Sequence, residues 1–167
     1  MSKQQAANPL LLVVRIRGTI NVRKDMKGTL EALRLGRVHT ATLHPGEPSV
    51  IGALQHIKDF VAWGEVDEET LTRLLQKRAR LAGNKQVDQE YLKEHLGVGD
   101  FAELAKSLLS FKADFSALPG VKPWFRLPPP RKGYHVKLER SRRGKKGKTS
   151  ISGHLGKGIN ELVSRMI

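Results

Sequence analysis

Two features are absent from this sequence of 167 residues: cysteine and any long hydrophobic run. The absence of cysteine excludes disulfide bonds, cysteine-based zinc sites and thiol chemistry, and it fits a reducing compartment. The longest strictly apolar stretch, Leu10–Val14, is far shorter than the roughly 20 residues of a membrane-spanning helix. Lys3 and this stretch superficially resemble a signal peptide, but Arg15 and Arg17 end the stretch too early. We therefore expect neither a membrane span nor a disulfide framework.

Acidic residues are almost missing from one segment of the chain. Residues 122–148 contain 11 Lys or Arg and one acid, Glu139, whereas residues 1–121 contain 17 bases and 14 acids. This basic segment contributes +10 to the formal net charge of +14. Its prolines and glycines interrupt any basic amphipathic helix, which disfavours a membrane surface as the partner. Because Lys and Arg replace condensed counterions on a polyanion, the segment favours nucleic acid.

Patterns of catalytic or ligand-binding residues are missing as well. Gly147-Lys148-Thr149 imitates the end of a P-loop, but the position five residues before Gly147, where that motif needs a Gly, holds Arg142. The six histidines show no metal-ligand spacing, and the carboxylates at 67–69 are explained by helix capping. The sequence therefore predicts no enzyme activity, no cofactor, no metal site and no small-molecule substrate.

Hydrophobic periodicity predicts an α+β protein with the order β-α-β-α-β over residues 10–66. Strand patterns occupy 12–17, 38–43 and 60–66, and helical patterns occupy 26–33 and 50–57. The two connections are long enough to allow parallel pairing, and right-handed β-α-β units would place both helices on one face of a three-stranded sheet. In the first strand, Arg15 and Arg17 fall on a face that becomes increasingly cationic.

Further helices are predicted after residue 66. Asp67 is a candidate N-cap before a stripe of leucines, a short helix follows Asp88, and Asp100 with Glu103 resembles a capping box that starts a third helix. Residues 112–158 show little periodicity apart from one short strand pattern at 134–138.

A short amphipathic helix is predicted at the end of the chain, where one face carries Ile159, Leu162, Val163 and Met166. An apolar face of this size needs a packing partner, because apolar patches are rarely left exposed. We therefore expect this helix to dock on the rest of the protein. The basic segment before it is then a tethered loop and not a free tail.

Basic residues form two groups that together could make a continuous phosphate footprint. The first group comprises Arg15, Arg17, Arg23, Lys24, Lys27, Arg34 and Arg37, and the second comprises Arg140, Arg142, Arg143, Lys145, Lys146 and Lys148. The strands lack the aromatic patterns of an RNA-recognition domain, so recognition of RNA backbone and shape is favoured over base stacking on the sheet. A nuclear-localisation-like run or a merely solubilising surface is the alternative for residues 142–148.

Five segments of the sequence are distinctive in their order: LLLVVRIRG, TLEALRLGRV, GALQHIKDFVAWGEV, RLPPPRKGYHVKL and GHLGKGINELVSRMI. Together they resemble the universal large-subunit ribosomal protein thirty family, in its archaeal and eukaryotic branch (number seven in the eukaryotic series). The resemblance covers nearly the whole chain, and KDFVAWGEV and RLPPPRKGY are its specific parts. Eukaryotic members carry long basic N-terminal extensions, so the short stretch at 1–9 favours an archaeal member.

The resemblance implies a ferredoxin-like core at 10–66 after an arm at 1–9. A helical extension at 67–111, a basic Pro/Gly-rich RNA-binding loop at 112–158 and a C-terminal helix at 159–167 would follow. It also implies a non-enzymatic structural constituent of the large ribosomal subunit in the cytoplasm. Its expected partners are folded large-subunit rRNA, near the 5S rRNA, and neighbouring ribosomal proteins.

Residues 15–23, 24–27 and 126–132 match regions that meet RNA in this family. Together with the two basic groups, the candidate RNA-binding residues are Arg15, Arg17, Arg23, Lys24, Lys27, Arg34, Arg37, His39, Arg126, Arg131, Lys132, Tyr134, His135, Lys137, Arg140, Arg142, Arg143, Lys145, Lys146, Lys148 and His154. The run SRRGKKGK could instead contact a neighbouring protein or solvent. The alternative function is that of a free-standing basic architectural protein of DNA or chromatin; an enzyme acting on RNA lacks a candidate acid–base pair.

Overall fold

A mixed sheet of five strands lies at the centre of the computed structural model, which describes residues 9–20, 22–96, 99–131, 133–134 and 151–167. The strands are β1 (Leu10–Arg15), β2 (Thr40–Pro45), β3 (Val61–Glu65) and the two-residue strands β4 (Phe125–Arg126) and β5 (Gly153–His154). Their order across the sheet is β4-β2-β1-β3-β5. The predicted α+β class and the β-α-β-α-β core are confirmed, and a short strand extends the sheet at each edge.

The parallel pairing that the two connections allow does not occur beside β1, which is antiparallel to both β2 and β3. Helix α1 (Lys24–Ala32) has nine residues and is only about 13 Å long. The stretch after it consists of turns, with a positive φ at Arg34 and at His39, and it brings the chain back to the end of the sheet where β1 stops. There the N–H of His39 donates to the carbonyl of Arg15 at 2.8 Å. Only the second connection is a parallel crossover, because β2 and β3 run in the same direction on either side of β1.

Helices α1 and α2 (Pro48–His56) cover one face of the sheet, as predicted. Leu30 of α1 and Leu54 of α2 lie in one buried cluster with Val13 of β1 and Trp63 of β3. Pro48 occupies the first turn of α2, where its missing N–H removes no intrahelical hydrogen bond.

The opposite face of the sheet is covered by the C-terminal part of the chain. Its helices are α3 (Glu68–Arg78), α4 (Gln89–Leu96), α5 (Phe101–Leu109) and α6 (Gly158–Ser164), with 3-10 turns at Ala82–Asn84 and Phe115–Ala117. Leu12 and Val14 of β1 lie in a second buried cluster with Leu71 of α3, Leu104 of α5 and Leu162 of α6. Strand β1 is therefore buried on both faces, and the prediction of a cationic face on this strand is wrong.

The C-terminal helix is docked, which confirms the prediction from its apolar face. Leu162 and Val163 are completely buried. The side chain of Asn160 ties the helix to the end of β3: its Oδ1 accepts from the N–H of Asp67 at 3.0 Å, and its Nδ2 donates to the carbonyl of Glu65 at 3.0 Å. These bonds satisfy backbone groups at the turn from β3 into α3, so α6 closes that corner of the fold.

Helix starts and strand ends differ in detail from the sequence-based expectations. Asp67 and Asp100 are the N-cap residues of α3 and α5, but neither side chain accepts a capping hydrogen bond. Glu103 Oε2 instead accepts from the N–H of Gly99, at 3.1 Å, one residue before the cap.

Of the predicted strand at 134–138, all but Tyr134 lies outside the described residues, and the domain boundaries stay predictions. No helix in the described part of the chain is long and apolar enough to cross a membrane.

Candidate nucleic-acid interface

A cleft of about 900 Å³ lies beside edge strand β4, and half of its lining residues are Arg or Lys. Three separate segments of the chain form it: the end of α1 with the stretch that leads into β2, the end of α3 with the turn after it, and the stretch that includes β4. We call it the basic cleft. Its lining residues are Glu31, Arg34, Gly36, Arg37, Thr40, Arg78, Arg80, Asn84, Lys122, Pro123, Trp124 and Arg126.

Arg34 is placed in the basic cleft by the way α1 ends. The N–H of Leu35 donates to the carbonyl of Leu30 at 2.8 Å, and the N–H of Arg34 donates to that of Glu31 at 2.9 Å. This hydrogen-bond pair is the Schellman motif, which requires a left-handed residue at the position of Arg34. Arg34 has a φ of 59°, a conformation that favours glycine. Leu30 and Leu35, both buried, supply the apolar contact that accompanies the motif.

The opposite wall is built by backbone pairing after α3. The N–H of Lys122 donates to the carbonyl of Arg80 at 2.9 Å, which places the two basic residues side by side. Lys122 Nζ contacts Asn84 Oδ1 and lies 5.5 Å from the centre of the Trp124 ring. The Arg78 side chain is fixed by a hydrogen bond, in which its Nη2 donates to the backbone oxygen of Ile167 at 2.9 Å.

Strand alternation at β4 sends side chains in two directions. Phe125 and Leu127 point into the core, where Phe125 is completely buried and stacks on Phe115 with ring centres 4.7 Å apart. Trp124 and Arg126, the alternate residues, line the basic cleft. Arg126 pairs with Thr40 of β2, so the sheet edge itself forms part of the cleft.

The charge of the basic cleft is almost uncompensated. Six of its lining residues are Arg or Lys, and Glu31 is the one acid among them. Arg78 donates to the backbone oxygen of Ile167, and among the described residues none of the other five bases forms an ion pair with an Asp or Glu side chain. A concave surface with several unpaired cations concentrates positive potential, which attracts polyanions.

The predicted RNA-binding residues fall into several separate places. The exposed ones in the described chain are Arg17, Arg23, Lys24, Lys27, Arg34, Arg37, Arg126, Arg131 and His154. Of these, Arg34, Arg37 and Arg126 meet in the basic cleft. His154 lies on β5, at the opposite edge of the sheet from Arg126, about 19 Å away across four strand spacings. Outside the described residues lie Lys132, His135, Lys137, Arg140, Arg142, Arg143, Lys145, Lys146 and Lys148.

Arg15 is not on the surface. Only 1% of its area is exposed; its Nη1 donates to the carbonyl of Leu35 at 2.6 Å and its Nε to that of Arg17 at 2.9 Å. Burial lowers the pKa of this guanidinium. The prediction that Arg15 faces RNA from an exposed strand is therefore wrong, because helices cover both faces of β1. Its guanidinium instead links the end of β1 to the stretch before β2.

His39 and Tyr134 form a pair beside the basic cleft. Their rings stack with centres 6.2 Å apart, and His39 Nε2 is hydrogen-bonded to the Tyr134 hydroxyl. Burial lowers the pKa of His39 and raises the pKa of Tyr134, which favours the neutral form of both side chains. The pair links the start of β2 to the chain that follows β4, and a contact of His39 or Tyr134 with RNA stays a prediction.

Sequence reasoning missed four cleft residues: Arg78, Arg80, Lys122 and Trp124. Arg78 and Arg80 lie at the C-terminal, negative end of α3, so a favourable interaction with the helix dipole already explains their charges in the sequence. Lys122 and Trp124 belong to the basic segment, and only their closeness in sequence to Arg126 could have indicated that they line the same cleft. Among the described residues, no group of three or more His, Asp or Glu could hold a metal ion.

The fold and the basic cleft together define an α+β protein with a concave cationic surface.

Comparison with known proteins gives the family. The family model "Ribosomal protein L30p/L7e" matches residues 11–61. The chain is 41% identical to "Large ribosomal subunit protein uL30" of Nanoarchaeum equitans, over 95% of this chain and 99% of that protein. The proteins of the same name from Thermofilum pendens and Archaeoglobus fulgidus are 42% and 41% identical, over 95% and 94% of this chain and 99% of each relative. The chain belongs to the ribosomal protein L30p/L7e family.

Proposed function

We propose that this protein is a structural constituent of the large ribosomal subunit and binds folded rRNA through phosphate contacts. The observation that carries the proposal is the basic cleft, in which six cations from three chain segments line a common space and none of them pairs with an Asp or Glu side chain of the described residues. Its relatives, matched over nearly their whole length, are named as proteins of that subunit. Membership of the family predicts a cytoplasmic, ribosomal location and no enzymatic reaction.

The covered sheet supports recognition of backbone rather than of bases on a strand platform. RNA-recognition domains stack bases on an exposed sheet face. Here Val13 and Trp63 are buried under α1 and α2, and Leu12 is buried under the C-terminal helices. RNA can therefore reach the edge at β4 and the basic cleft, but not the sheet faces.

The proposed interface extends beyond the basic cleft. Arg17, Lys24 and Lys27 are exposed around the loop between β1 and α1, and Arg131 follows β4. We include them, together with the basic run at 140–148, which lies outside the described residues. Contacts with neighbouring ribosomal proteins and a place near the 5S rRNA are also proposed; they rest on the family resemblance alone.

The proposal is tested by the salt dependence of RNA binding. The variant Arg37→Gln/Arg80→Gln/Arg126→Gln removes three charges of the basic cleft and leaves Arg78 and its bond to Ile167 intact. With a large-subunit rRNA fragment, the slope of log affinity against log salt should flatten by roughly 2–3, since each lost phosphate contact removes about 0.7–0.9. An unrelated RNA hairpin should lose affinity by a similar factor.

The matched control carries the same charge change at exposed lysines outside the basic cleft, Lys58→Gln/Lys93→Gln/Lys112→Gln. Its salt slope should stay close to that of the unmodified protein. Equal slopes for the two triple variants would remove the basic cleft from the interface. Tighter binding to duplex DNA than to either RNA would favour the architectural DNA-binding alternative. The same series on Arg142→Gln/Arg143→Gln/Lys145→Gln/Lys146→Gln decides whether that run belongs to the interface.

A further inference from the structure

Trp124 is a large aromatic residue without a place in the core. It is half-buried, and of the two apolar clusters formed by the described residues it joins neither. The other tryptophan, Trp63, is only 5% exposed and belongs to the cluster under α1 and α2. Packing therefore explains Trp63 but not Trp124, whose ring lines the basic cleft.

Cations surround the ring of Trp124. Lys122 Nζ lies 5.5 Å from the centre of the ring, and Arg126 is the next residue on the same side of β4. Arg37 and Arg80 line the same cleft from its two walls. A flat π surface among unpaired cations is the arrangement that single-stranded nucleic-acid sites use, with bases stacked on aromatic rings and phosphates neutralised by Lys and Arg.

The size of the basic cleft and its one acidic residue, Glu31, both fit a nucleobase as the bound group. A volume of about 900 Å³ lies in the range of clefts that enclose a small molecule, about 300–1,000 Å³. Glu31 repels phosphate, but a carboxylate accepts hydrogen bonds from the amino groups that bases carry. A cleft that bound phosphates alone would gain nothing from this residue.

We infer that the basic cleft holds an unpaired nucleotide, with its base stacked on Trp124 and its flanking phosphates on Arg37, Arg80 and Arg126. This inference rests on the proposed function and adds a base-binding position to it. A bulged or looped-out nucleotide of the rRNA has the required chemistry, because its base is free of the helical stack. An acidic peptide segment is the competing occupant.

The test uses the intact protein and three probes: single-stranded hexaadenylate, an abasic oligomer with the same number of phosphates, and polyglutamate. Trp124→Leu should weaken hexaadenylate binding about tenfold, the loss typical of one stacked base. Affinity for the abasic oligomer and the salt slope should not change. Trp124→Phe should retain most of the affinity, because it keeps a ring. In the unmodified protein, hexaadenylate should quench the fluorescence of Trp124, while buried Trp63 gives a constant background.

The inference is overturned if Trp124→Leu binds hexaadenylate as well as the unmodified protein does, or if it loses equal affinity for both oligomers. It is also overturned if polyglutamate binds more tightly than hexaadenylate and loses affinity in Trp124→Leu, which would identify an acidic peptide as the occupant. The triple variant Arg37→Gln/Arg80→Gln/Arg126→Gln separates the two proposals. If it weakens RNA binding while Trp124→Leu does not, only the base-stacking inference fails; if neither variant weakens binding, the proposed interface fails too.

Discussion

Arg34 combines a strained backbone with an exposed cationic side chain. At φ 59°, an L-residue with a Cβ costs about 1–2 kcal/mol relative to the right-handed conformation, and glycine avoids most of that cost. The Schellman hydrogen bonds at Leu30 and Glu31 fix this conformation. The presence of Arg instead of Gly at this position therefore lowers the stability of the fold. In return, the guanidinium of Arg34 adds a positive charge to the basic cleft.

Replacing Arg34 by Gly should make the protein more stable and a weaker RNA binder. We expect the free energy of unfolding to rise by about 0.5–1 kcal/mol, because the left-handed strain is relieved. The matched control is Arg37→Gly, which lines the same cleft without a positive φ. There the added freedom of the unfolded chain should lower stability by about 0.5–1 kcal/mol. Denaturant unfolding measures the stability of both glycine variants. A loss of stability in Arg34→Gly would contradict the strain argument.

Arg15 shows where residue-level reasoning from the sequence stops. Its alternation with Val14 and Ile16 is typical of an exposed strand face, and this pattern predicted a surface cation. Arg15 shares the face of Val13, which α1 and α2 cover, and backbone carbonyls of Arg17 and Leu35 accept from its guanidinium. Alternation reports which residues share a face, but it does not report what covers that face.

Helix α6 is held by a close backbone approach as well as by its apolar face. The N–H of Leu155 donates to the carbonyl of Trp63 at 2.8 Å, which brings the chain before α6 onto β3. A Cβ on Gly64 would overlap the carbonyl oxygen of Gly156. Only glycine at position 64 therefore permits this approach, and Asn160 secures the helix at the next corner.

Gly64→Ala should loosen the C-terminal helix. The new methyl group meets backbone and not a flexible side chain, so we expect a loss of about 2–4 kcal/mol in the free energy of unfolding. Amide exchange of residues 159–163 should accelerate more than that of α1. Gly52→Ala in α2 is the control, since a Cβ there meets nothing within 4 Å and alanine favours a helix. That control should be unchanged or slightly more stable. Unaltered exchange in α6 would show that the close approach is not needed.

The helices were predictable from the sequence, whereas the directions of the strands were not. Stripes such as Leu71, Leu74 and Leu75 in α3 carry their own periodicity. The direction of β2 relative to β1 depends instead on how far the chain returns after α1, which no periodic pattern reports. The edge strands β4 and β5 contain two residues each and are too short to show alternation.

The whole molecule brings distant charges together. The three chain segments that form the basic cleft lie more than forty residues apart, at Arg34 and Arg37, at Arg78 and Arg80, and at Lys122 and Arg126. The sequence predicted a basic segment, and the start of that segment, at Lys122, Trp124 and Arg126, lines the basic cleft. It gave no means of seeing that the end of α3 would complete the cleft, because that contact depends on the packing of the extension on the sheet.

Association with ribosomal subunits tests the central claim most directly. Large subunits are first stripped of this protein by high salt. They are then incubated with the purified protein, with the cleft variant Arg37→Gln/Arg80→Gln/Arg126→Gln, or with the control Lys58→Gln/Lys93→Gln/Lys112→Gln. Each mixture is sedimented over a range of salt concentrations. The unmodified protein and the control should sediment with the large subunit in moderate salt and dissociate only in high salt, while the cleft variant should dissociate at clearly lower salt because phosphate contacts dominate binding. Failure of the unmodified protein to sediment with the subunit, or release of all three proteins at the same salt concentration, would contradict the account.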